Sequence, residues 1–318
     1  MRHVLVSGGT GVTGGALVRH LLQRKVQVTL LIRPQSPRRH FLPLDNPLLR
    51  LVECRLGEYA AAASRIDGQP EVFFHLAWEG SRGKEKLDNR NNMPLQADNI
   101  LHDIDAVELC RALRCPVFLA TGSQAEYGRL TVPAHEDMPC HPETGYGAAK
   151  LCAMTMTRIL CQSYGIRHIW ARLFSVYGPC DGTESLIDTS IAALRRGESP
   201  AYTAGEQLWD YLYSADAAEA LCLLAEKGRD GTTYNVASGQ ARPLAECIRT
   251  VHRLVDPAIE PRLGAVPYAP RQVMRLEVDI RRLKQDTGFE PRWSFEDGIA
   301  AILAYKNPSD LLTSRIYP

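Results

Sequence analysis

A glycine-rich turn after the first apolar run restricts the fold of this chain more than any other feature of its sequence. Residues 3–7 form a strand pattern, Gly8, Gly11 and Gly14 follow with the spacing G-x-x-G-x-x-G, and a helical pattern begins there. In such a turn the glycines permit a tight bend, close approach of a pyrophosphate and close packing of helix on strand. The free N–H groups at the start of the helix favour phosphate oxygens. The turn therefore predicts a dinucleotide site with the contacts Gly8, Thr10, Gly11, Val12 and Gly14.

Short apolar runs alternate with longer helical patterns through the first half of the chain. Strand patterns cover residues 3–7, 26–32, 50–54, 71–77, 116–120 and 168–172, and helical patterns cover residues 11–24, 95–113 and 145–164. Strands that are apolar nearly throughout, and that are separated by helices, are typical of a parallel sheet covered on both faces. We therefore predict an α/β fold, a Rossmann-like doubly wound parallel sheet.

The pattern becomes less regular after Gly178 and Pro179, where prolines are frequent. Helices still fit residues 185–196, 215–227, 244–254 and 295–305. This half predicts a smaller α+β lobe that binds substrate. We expect residues 1–175 to form the dinucleotide-binding domain and residues 176–318 to form mainly the second lobe, with some segments returning to the first domain.

Charge and composition exclude several classes of function. The 37 Lys and Arg residues balance 36 Asp and Glu residues, so no net field attracts nucleic acid or an anionic membrane. The nine cysteines include no Cys-x-x-Cys pair, and no cluster of ligands has metal spacing. No apolar run approaches the ~18 residues of a membrane span, and no signal-peptide pattern precedes the first strand. We expect a cytoplasmic protein with reduced cysteines and no metal.

The end of the second strand bears on which dinucleotide is bound. An NAD site normally carries an acidic residue about 20 residues after the glycine turn, to hold the ribose 2′-hydroxyl. Here the strand ends at Arg33, and no acidic residue occurs before Asp45. Arg33, with Arg38 and Arg39, offers cations suited to a 2′-phosphate. NADP(H) is therefore favoured, while a merely solvated basic loop would leave NAD(H) possible.

Three residues predict acid–base chemistry at this cofactor. Tyr146 and Lys150 lie four residues apart on a predicted helix and share one face. An adjacent cation lowers the pKa of a tyrosine from ~10, so Tyr146 can exchange a proton with a carbinol oxygen while hydride moves to or from nicotinamide. Ser123 leaves strand 116–120 at the carboxyl edge of the sheet, where open α/β folds bind ligands. We predict Ser123, Tyr146 and Lys150 as the catalytic residues.

Over nearly its whole length the chain resembles the extended short-chain dehydrogenase/reductases, a group of nucleotide-sugar epimerases, dehydratases and reductases. The shared motifs occur in the family's order: Gly8-x-x-Gly11-x-x-Gly14, His75-Leu76-Ala77, Asn99, Ser123-x-x-x-Tyr127-Gly128, Tyr146-x-x-x-Lys150, Arg172-Leu173-Phe174-Ser175-Val176-Tyr177-Gly178-Pro179, Asp210-Tyr211 and Tyr234-Asn235-Val236. The resemblance implies that Tyr146 is the acid/base, that Lys150 also binds the nicotinamide ribose, and that Ser123 holds the reacting oxygen. Leu76, Ala77 and Leu173 join the expected cofactor contacts. The family's helix-bundle dimer leads us to expect a homodimer.

Departures from the family pattern bear on the substrate. Ser123-Gln124-Ala125 stands where the 4,6-dehydratases carry Thr-Asp-Glu, which argues against dehydration. Trp209 replaces the arginine that grips the substrate diphosphate in many epimerases, and Ser175 replaces an asparagine. Arg271 or Arg275 could bind the substrate diphosphate in place of that arginine. Trp78 could reach the sugar or serve surface packing, and Gln207 and Trp209 could cover the base or pack between lobes. The expected substrate contacts are Trp78, Gln124, Ser175, Gln207, Trp209, Arg271 and Arg275.

The segments 75–80 and 122–128 are most similar to the branch that contains CDP-abequose synthase-type 4-ketoreductases. That likeness implies NADPH-dependent reduction of a nucleotide-linked 4-keto-6-deoxyhexose, and the Arg33 argument points independently to NADPH. A 4-epimerase that retains NAD would use the same three catalytic residues. A non-catalytic dinucleotide sensor is a third alternative, and the intact set of Ser123, Tyr146 and Lys150 argues against it.

Overall fold

The computed structural model describes residues 1–81, 86–182 and 185–305. Its strands are β1 (His3–Ser7), β2 (Gln27–Ile32), β3 (Leu49–Glu53), β4 (Val72–His75), β5 (Val117–Ser123), β6 (Arg167–Leu173), β7 (Ser175–Tyr177), β8 (Leu208–Trp209), β9 (Tyr211–Tyr213), β10 (Thr232–Val236), β11 (Arg242–Pro243) and β12 (Arg275–Leu276). Its α-helices are α1 (Val12–Gln23), α2 (Tyr59–Ala62), α3 (Lys86–Asn89), α4 (Met93–Ala112), α5 (Gly145–Tyr164), α6 (Leu186–Leu194), α7 (Ser214–Lys227), α8 (Leu244–Val255), α9 (Arg281–Thr287) and α10 (Phe295–Ala304).

Seven strands form one parallel sheet in the order β10-β6-β5-β4-β1-β2-β3, which confirms the predicted doubly wound fold. The chain order reverses at β1, which has β2 on one side and β4 on the other. Ligands of open α/β sheets bind outside the carboxyl ends of the strands at such a switch point. The register aligns those ends, because Ser7 lies opposite His75 and Ser123 lies opposite Leu173.

Helices cover both faces of the sheet, which explains why its strands are apolar nearly throughout. Helices α1 and α7 pack together on one face, and α4 and α5 pack together on the other. Neighbouring residues of β1 show the consequence: Val4 belongs to the core on the α1 side, Leu5 belongs to the core on the α4 side, and neither is exposed. Full burial of each such side chain stabilises the fold by about 1.5–3 kcal/mol.

The second half of the chain contributes to both parts of the molecule. Strand β10 extends the large sheet beside β6, and α7 covers that sheet, so these segments return to the first domain. Helices α6, α8 and α10 enclose a separate apolar core, beside a small sheet in the order β11-β8-β12. The short strands β7 to β9, β11 and β12 were not predicted, because two or three residues are too few to show a period of two.

Among the described residues, no helix is long and apolar enough to cross a lipid bilayer.

Candidate active site

A cavity of about 790 Å³ lies at the carboxyl ends of β1, β4 and β5. It is bordered by the glycine turn after β1, by the segment after β4 and by the first turns of α5. The structure brings all of the predicted cofactor contacts to this one cavity: Gly8, Thr10, Gly11, Val12, Gly14, Arg33, Leu76, Ala77, Lys150 and Leu173.

The glycine turn has the shape that a pyrophosphate requires. Gly8 has φ +75°, and a Cβ placed on it would lie 2.6 Å from the carbonyl carbon of Leu76. A Cβ on Gly14 would lie 2.3 Å from the carbonyl oxygen of Gly8. Helix α1 starts from Gly11 with no side-chain cap and no acidic residue in its first turn. Its first N–H groups and its positive dipole end therefore suit phosphate oxygens, and the turn fits a dinucleotide.

The three arginines after β2 have different surroundings, and only Arg33 and Arg38 border the cavity. Arg33 is exposed and borders the cavity. Arg38 donates to the carbonyl oxygens of Thr10, at 2.9 Å, and of Cys180, so it ties the glycine turn to the loop after β7. Arg39 forms an ion pair with Glu53 at 3.3 Å and does not border the cavity. The sequence pattern could not predict these contacts, because the conformation of the loop after β2 decides where each arginine side chain lies.

Ser36 and Arg55 are further polar residues at this end of the cavity, and sequence reasoning did not single them out. Arg55 follows β3, so its place beside Arg33 depends on the pairing of β2 with β3. Arg33, Ser36 and Arg55 together bring two guanidinium groups and a hydroxyl to the cavity, where Arg55 also pairs with Glu58 at 4.0 Å. Such groups suit a phosphate monoester.

Ser123, Tyr146 and Lys150 all border the same cavity. Ser123 ends β5 at the carboxyl edge of the sheet. Helix α5 begins beside it, where the Thr144 hydroxyl accepts the N–H of Gly147 at 3.1 Å. Tyr146 lies in the first turn of α5, and Lys150 lies one turn further on the same face. The Lys150 ammonium donates to the carbonyl oxygen of Thr121 at 2.7 Å.

The two titratable groups of this set have shifted pKa values. Removal from water raises the pKa of Tyr146, and the Ser123 hydroxyl and the Arg90 guanidinium oppose that rise. Burial lowers the pKa of Lys150 to about 8, against the opposing charges of Asp103 and Glu126. The sequence led us to expect Lys150 to lower the pKa of Tyr146. In the structure the Lys150 ammonium donates a hydrogen bond to a backbone carbonyl, and the Arg90 guanidinium is a cation that opposes the rise in the pKa of Tyr146.

Arg90 is therefore a site residue that sequence reasoning missed. Its guanidinium carbon lies 5.7 Å from the centre of the Tyr146 ring, and its side chain borders the cavity. The backbone N–H of Tyr146 donates to the carbonyl oxygen of Arg90 at 2.8 Å. The only sequence signal is a basic residue within the polar run 88–92 that precedes a helix, and such a run usually marks a solvated loop.

A buried carboxylate fixes the backbone of Ser123. Glu126 has no exposed surface, and its Oε1 accepts the N–H of Ser123 at 2.7 Å and the indole N–H of Trp170 at 3.0 Å. Its Oε2 accepts the Nε–H of Arg172 at 2.6 Å. Arg172 is itself buried, so the pair holds the end of β5 to β6 from within the core.

A second cavity of about 980 Å³ adjoins the first and extends towards the small lobe. The predicted substrate contacts Gln124, Ser175, Gln207 and Trp209 border it. The side-chain Oε1 atoms of Gln124 and Gln207 are buried and accept no hydrogen bond from any residue described by the structure. A buried acceptor without a donor costs about 1–3 kcal/mol.

The remaining predicted substrate contacts have other surroundings. Trp78 borders the first cavity, but it is buried and donates its indole N–H to Gln96 at 3.0 Å. Its ring meets Tyr146 edge-on, and its face lies 3.7 Å from the Lys150 ammonium. Arg275 pairs with Glu277 at 2.6 Å, and Arg271 is exposed. The structure brings neither arginine to the two cavities.

No group of three or more His, Cys, Asp and Glu residues in the described ranges is placed to hold a metal ion.

Comparison with known proteins gives the family. A profile of the NAD dependent epimerase/dehydratase family matches residues 4–237. A dTDP-glucose 4,6-dehydratase of Xanthomonas campestris pv. campestris (strain B100) is 32% identical over 188 residues. The matched region covers 56% of this chain and only about half, 52%, of the length of that relative. UDP-glucose 4-epimerase of Thermotoga maritima, solved with UDP-glucose, superposes with a TM-score of 0.83 at 22% identity, over 95% of this chain and 98% of that chain. RMD of Pseudomonas aeruginosa, solved with NADPH, superposes with a TM-score of 0.76 at 22% identity, over 98% of this chain and 100% of that chain. The chain belongs to the NAD-dependent epimerase/dehydratase family.

Proposed function

We propose that this protein is an NADPH-dependent reductase that acts on a nucleotide-activated 4-keto-6-deoxyhexose. One observation carries the proposal: Ser123, Tyr146 and Lys150 border the cavity that contains the glycine turn, and that cavity adjoins a second one with unpaired amide oxygens. A dinucleotide in the first cavity and a nucleotide sugar in the second would meet at Tyr146. The dehydratase and the epimerase named above act on nucleotide sugars by their names, which supports this substrate class.

The three residues divide the proton chemistry of a ketone reduction. NADPH, when bound, supplies the hydride. Tyr146 donates its phenolic proton to the carbonyl oxygen, which becomes the hydroxyl of the product. The Ser123 hydroxyl donates a hydrogen bond to the same oxygen as negative charge develops there, an interaction worth about 10²–10³ in rate when it is the donor of an oxyanion site. The Lys150 ammonium stabilises the phenolate that remains and holds the cofactor's ribose hydroxyls.

The preference for NADPH rests on the polar residues at the far end of the first cavity. Arg33, Ser36 and Arg55 border it, and no acidic residue ends β2. A 2′-phosphate would receive charge-assisted hydrogen bonds from the two guanidinium groups. The NADPH complex of RMD shows that this fold accommodates the phosphorylated cofactor.

Gln124 and Ala125 argue against a dehydratase. Expulsion of a C6 hydroxyl requires an acid, and abstraction of the C5 proton requires a base. The neutral side chains of Gln124 and Ala125 supply neither. A 4-epimerase is the second candidate, because it needs only the residues found here and the Thermotoga epimerase has a similar fold. A reductase consumes one NADPH for each product, and an epimerase consumes none.

The test is to incubate the protein with NADPH or NADH and a panel of nucleotide-linked 4-keto-6-deoxyhexoses. We expect oxidation of NADPH in step with formation of a reduced sugar. Tyr146→Phe should abolish turnover and keep NADPH binding, while Tyr164→Phe, an exposed tyrosine of the same helix, should be fully active. Interconversion of 4-hydroxy epimers without loss of NADPH would show an epimerase instead.

The cofactor preference has its own test. Arg33→Asp places an acidic residue at the end of β2, where a ribose 2′-hydroxyl would be held. We expect the ratio of kcat/KM for NADPH over NADH to fall by at least about tenfold, as for the loss of one charge-assisted hydrogen bond. Arg39→Asp serves as the control, because Arg39 does not border the cavity. An unchanged ratio in Arg33→Asp would contradict the assignment of NADPH.

A further inference from the structure

The proposed substrate carries a diphosphate, and the structure leaves the identity of its cationic partner open. Trp209 stands where many members of the family have an arginine for this group. The two arginines that the sequence offered as replacements, Arg271 and Arg275, do not border either cavity. A diphosphate removed from water needs a positive charge near it. The cation must therefore come from another part of the chain.

Among the residues that the structure describes, three arginines border both cavities, and they differ in what they contact. Arg38 donates to the carbonyl oxygens of Thr10 and Cys180. Arg33 is exposed and stands at the end of β2, beside the proposed adenosine site. Arg90 stands beside Tyr146, at the opposite end of the first cavity and on the border with the second.

Arg90 is mounted rigidly at its backbone. Its carbonyl oxygen accepts the N–H of Tyr146 at 2.8 Å, and the side chain of Asn91 accepts the N–H of Gly145 at 3.0 Å. The carbonyl oxygen of Asn89 accepts the side-chain N–H of Gln96 at 2.7 Å. These bonds fasten the segment 89–91 to the starts of α4 and α5. The guanidinium therefore lies beside the Tyr146 phenol, and none of these hydrogen bonds uses the guanidinium N–H groups.

Within the described part of the chain, no carboxylate forms an ion pair with Arg90. It contacts the Tyr146 ring, whose centre lies 5.7 Å from the guanidinium carbon. A contact with a ring face uses none of the guanidinium N–H groups, which match the oxygens of a phosphate. Arg90 thus has a backbone held by hydrogen bonds and guanidinium N–H groups that are free to bind a ligand. It also lies between the proposed sites for the sugar and the nucleobase.

We propose that Arg90 binds the diphosphate of the nucleotide-sugar substrate and so takes the role that Trp209 cannot fill. This inference rests on the proposed function, because it requires a nucleotide sugar that spans the two cavities. The sugar then lies against Tyr146 and Ser123, and the base lies near Gln207. Arg90 fixes the linkage between them, and through it the distance from the sugar to the phenol.

The experiment is isothermal titration of the full protein with UDP, dTDP and CDP and with the matching nucleosides. We expect Arg90→Gln to raise the Kd of the preferred nucleoside diphosphate by about ten- to a hundredfold, as for loss of a charge-assisted bidentate contact. The Kd of the matching nucleoside should not change. Arg90→Lys should recover part of the loss. Arg249→Gln removes the same charge from an exposed position on α8 and should bind like the wild type. Unchanged NADPH affinity and melting temperature would establish that Arg90→Gln is folded.

The outcomes separate this inference from the proposed function. If the wild type binds no nucleoside diphosphate, the proposed function fails. If the wild type binds one and Arg90→Gln binds it equally, only the Arg90 assignment is overturned.

Discussion

Replacement of Glu126 by glutamine tests how Ser123, the proposed catalytic serine, is held in place. The carboxylate is fully buried and accepts hydrogen bonds from three N–H donors, those of Ser123, Trp170 and Arg172. A glutamine has one acceptor oxygen, and its NH₂ group would face one of the remaining donors. Arg172 would also lose its counter-charge, which leaves a buried guanidinium beside the Tyr127 ring and Cys140.

The expected cost follows from that geometry. Removal of one partner of a buried ion pair costs about 3–5 kcal/mol. With a urea m-value of about 3 kcal/mol/M, the unfolding midpoint of Glu126→Gln should fall by about 1–2 M. The glutamine oxygen at the Oε1 position can still accept the N–H groups of Ser123 and Trp170, but the ion pair that holds the end of β5 to β6 is lost, so kcat should fall as well. Glu198→Gln breaks the exposed pair between Arg196 and Glu198 and should change neither quantity.

A double variant separates stability from catalysis. Glu126→Leu with Arg172→Met replaces the pair by apolar side chains, a change that is often neutral or stabilising for buried pairs. We expect it to recover most of the unfolding midpoint and little of the turnover, since it restores no acceptor for Ser123. The reasoning is refuted if Glu126→Gln unfolds within about 0.3 M of the wild type and keeps its kcat.

Three further predictions follow from the geometry of the site. Gly8→Ala should abolish NADPH binding in a fluorescence titration, whereas Gly197→Ala, with a similar positive φ but open space around it, should bind normally. The kcat/KM for reduction should fall as pH rises through about 8, because Lys150 then loses the proton that its role requires; Lys150→Arg should move that fall to higher pH. Ile159→Glu, on the exposed apolar face that α4 and α5 share, should convert the expected dimer to a monomer by light scattering, and Val266→Glu should not.

Features that depend on neighbouring residues were predictable from the sequence. The glycine turn lies between a strand and a helix that adjoin it in the chain, so its role follows from local order alone. Tyr146 and Lys150 share a helix face by spacing, and α5 begins and ends at the predicted residues 145 and 164. The carboxyl ends of parallel strands meet at one edge, which places Ser123 beside the turn.

Features that depend on contacts between distant segments were not predictable. Arg90 reaches Tyr146 because Asn91 binds Gly145 across 54 residues of sequence, and no periodicity encodes that bond. Arg38 and Arg39 look alike beside Arg33 in the sequence, yet one binds backbone oxygens and the other pairs with Glu53. Strand β10 was missed because its pattern, TTYNV, is partly polar, and it becomes a strand by pairing with the edge of β6.

Trp78 lies beside Tyr146 and Lys150, and its contact with Lys150 bears on the charge of that residue. The indole N–H of Trp78 donates to Gln96, and the indole N–H of Trp170 donates to Glu126. These hydrogen bonds fix the two indole rings so that each has one face towards the Lys150 ammonium. Burial disfavours that charge, and the electron-rich faces of the two rings favour it. The ammonium can therefore keep its proton at neutral pH while it is shielded from water. In the proposed reaction, its charge in that shielded position would act on the phenolate and the ribose more strongly than it would in solvent. The tryptophan after His75-Leu76-Ala77 thus stabilises the charge of Lys150.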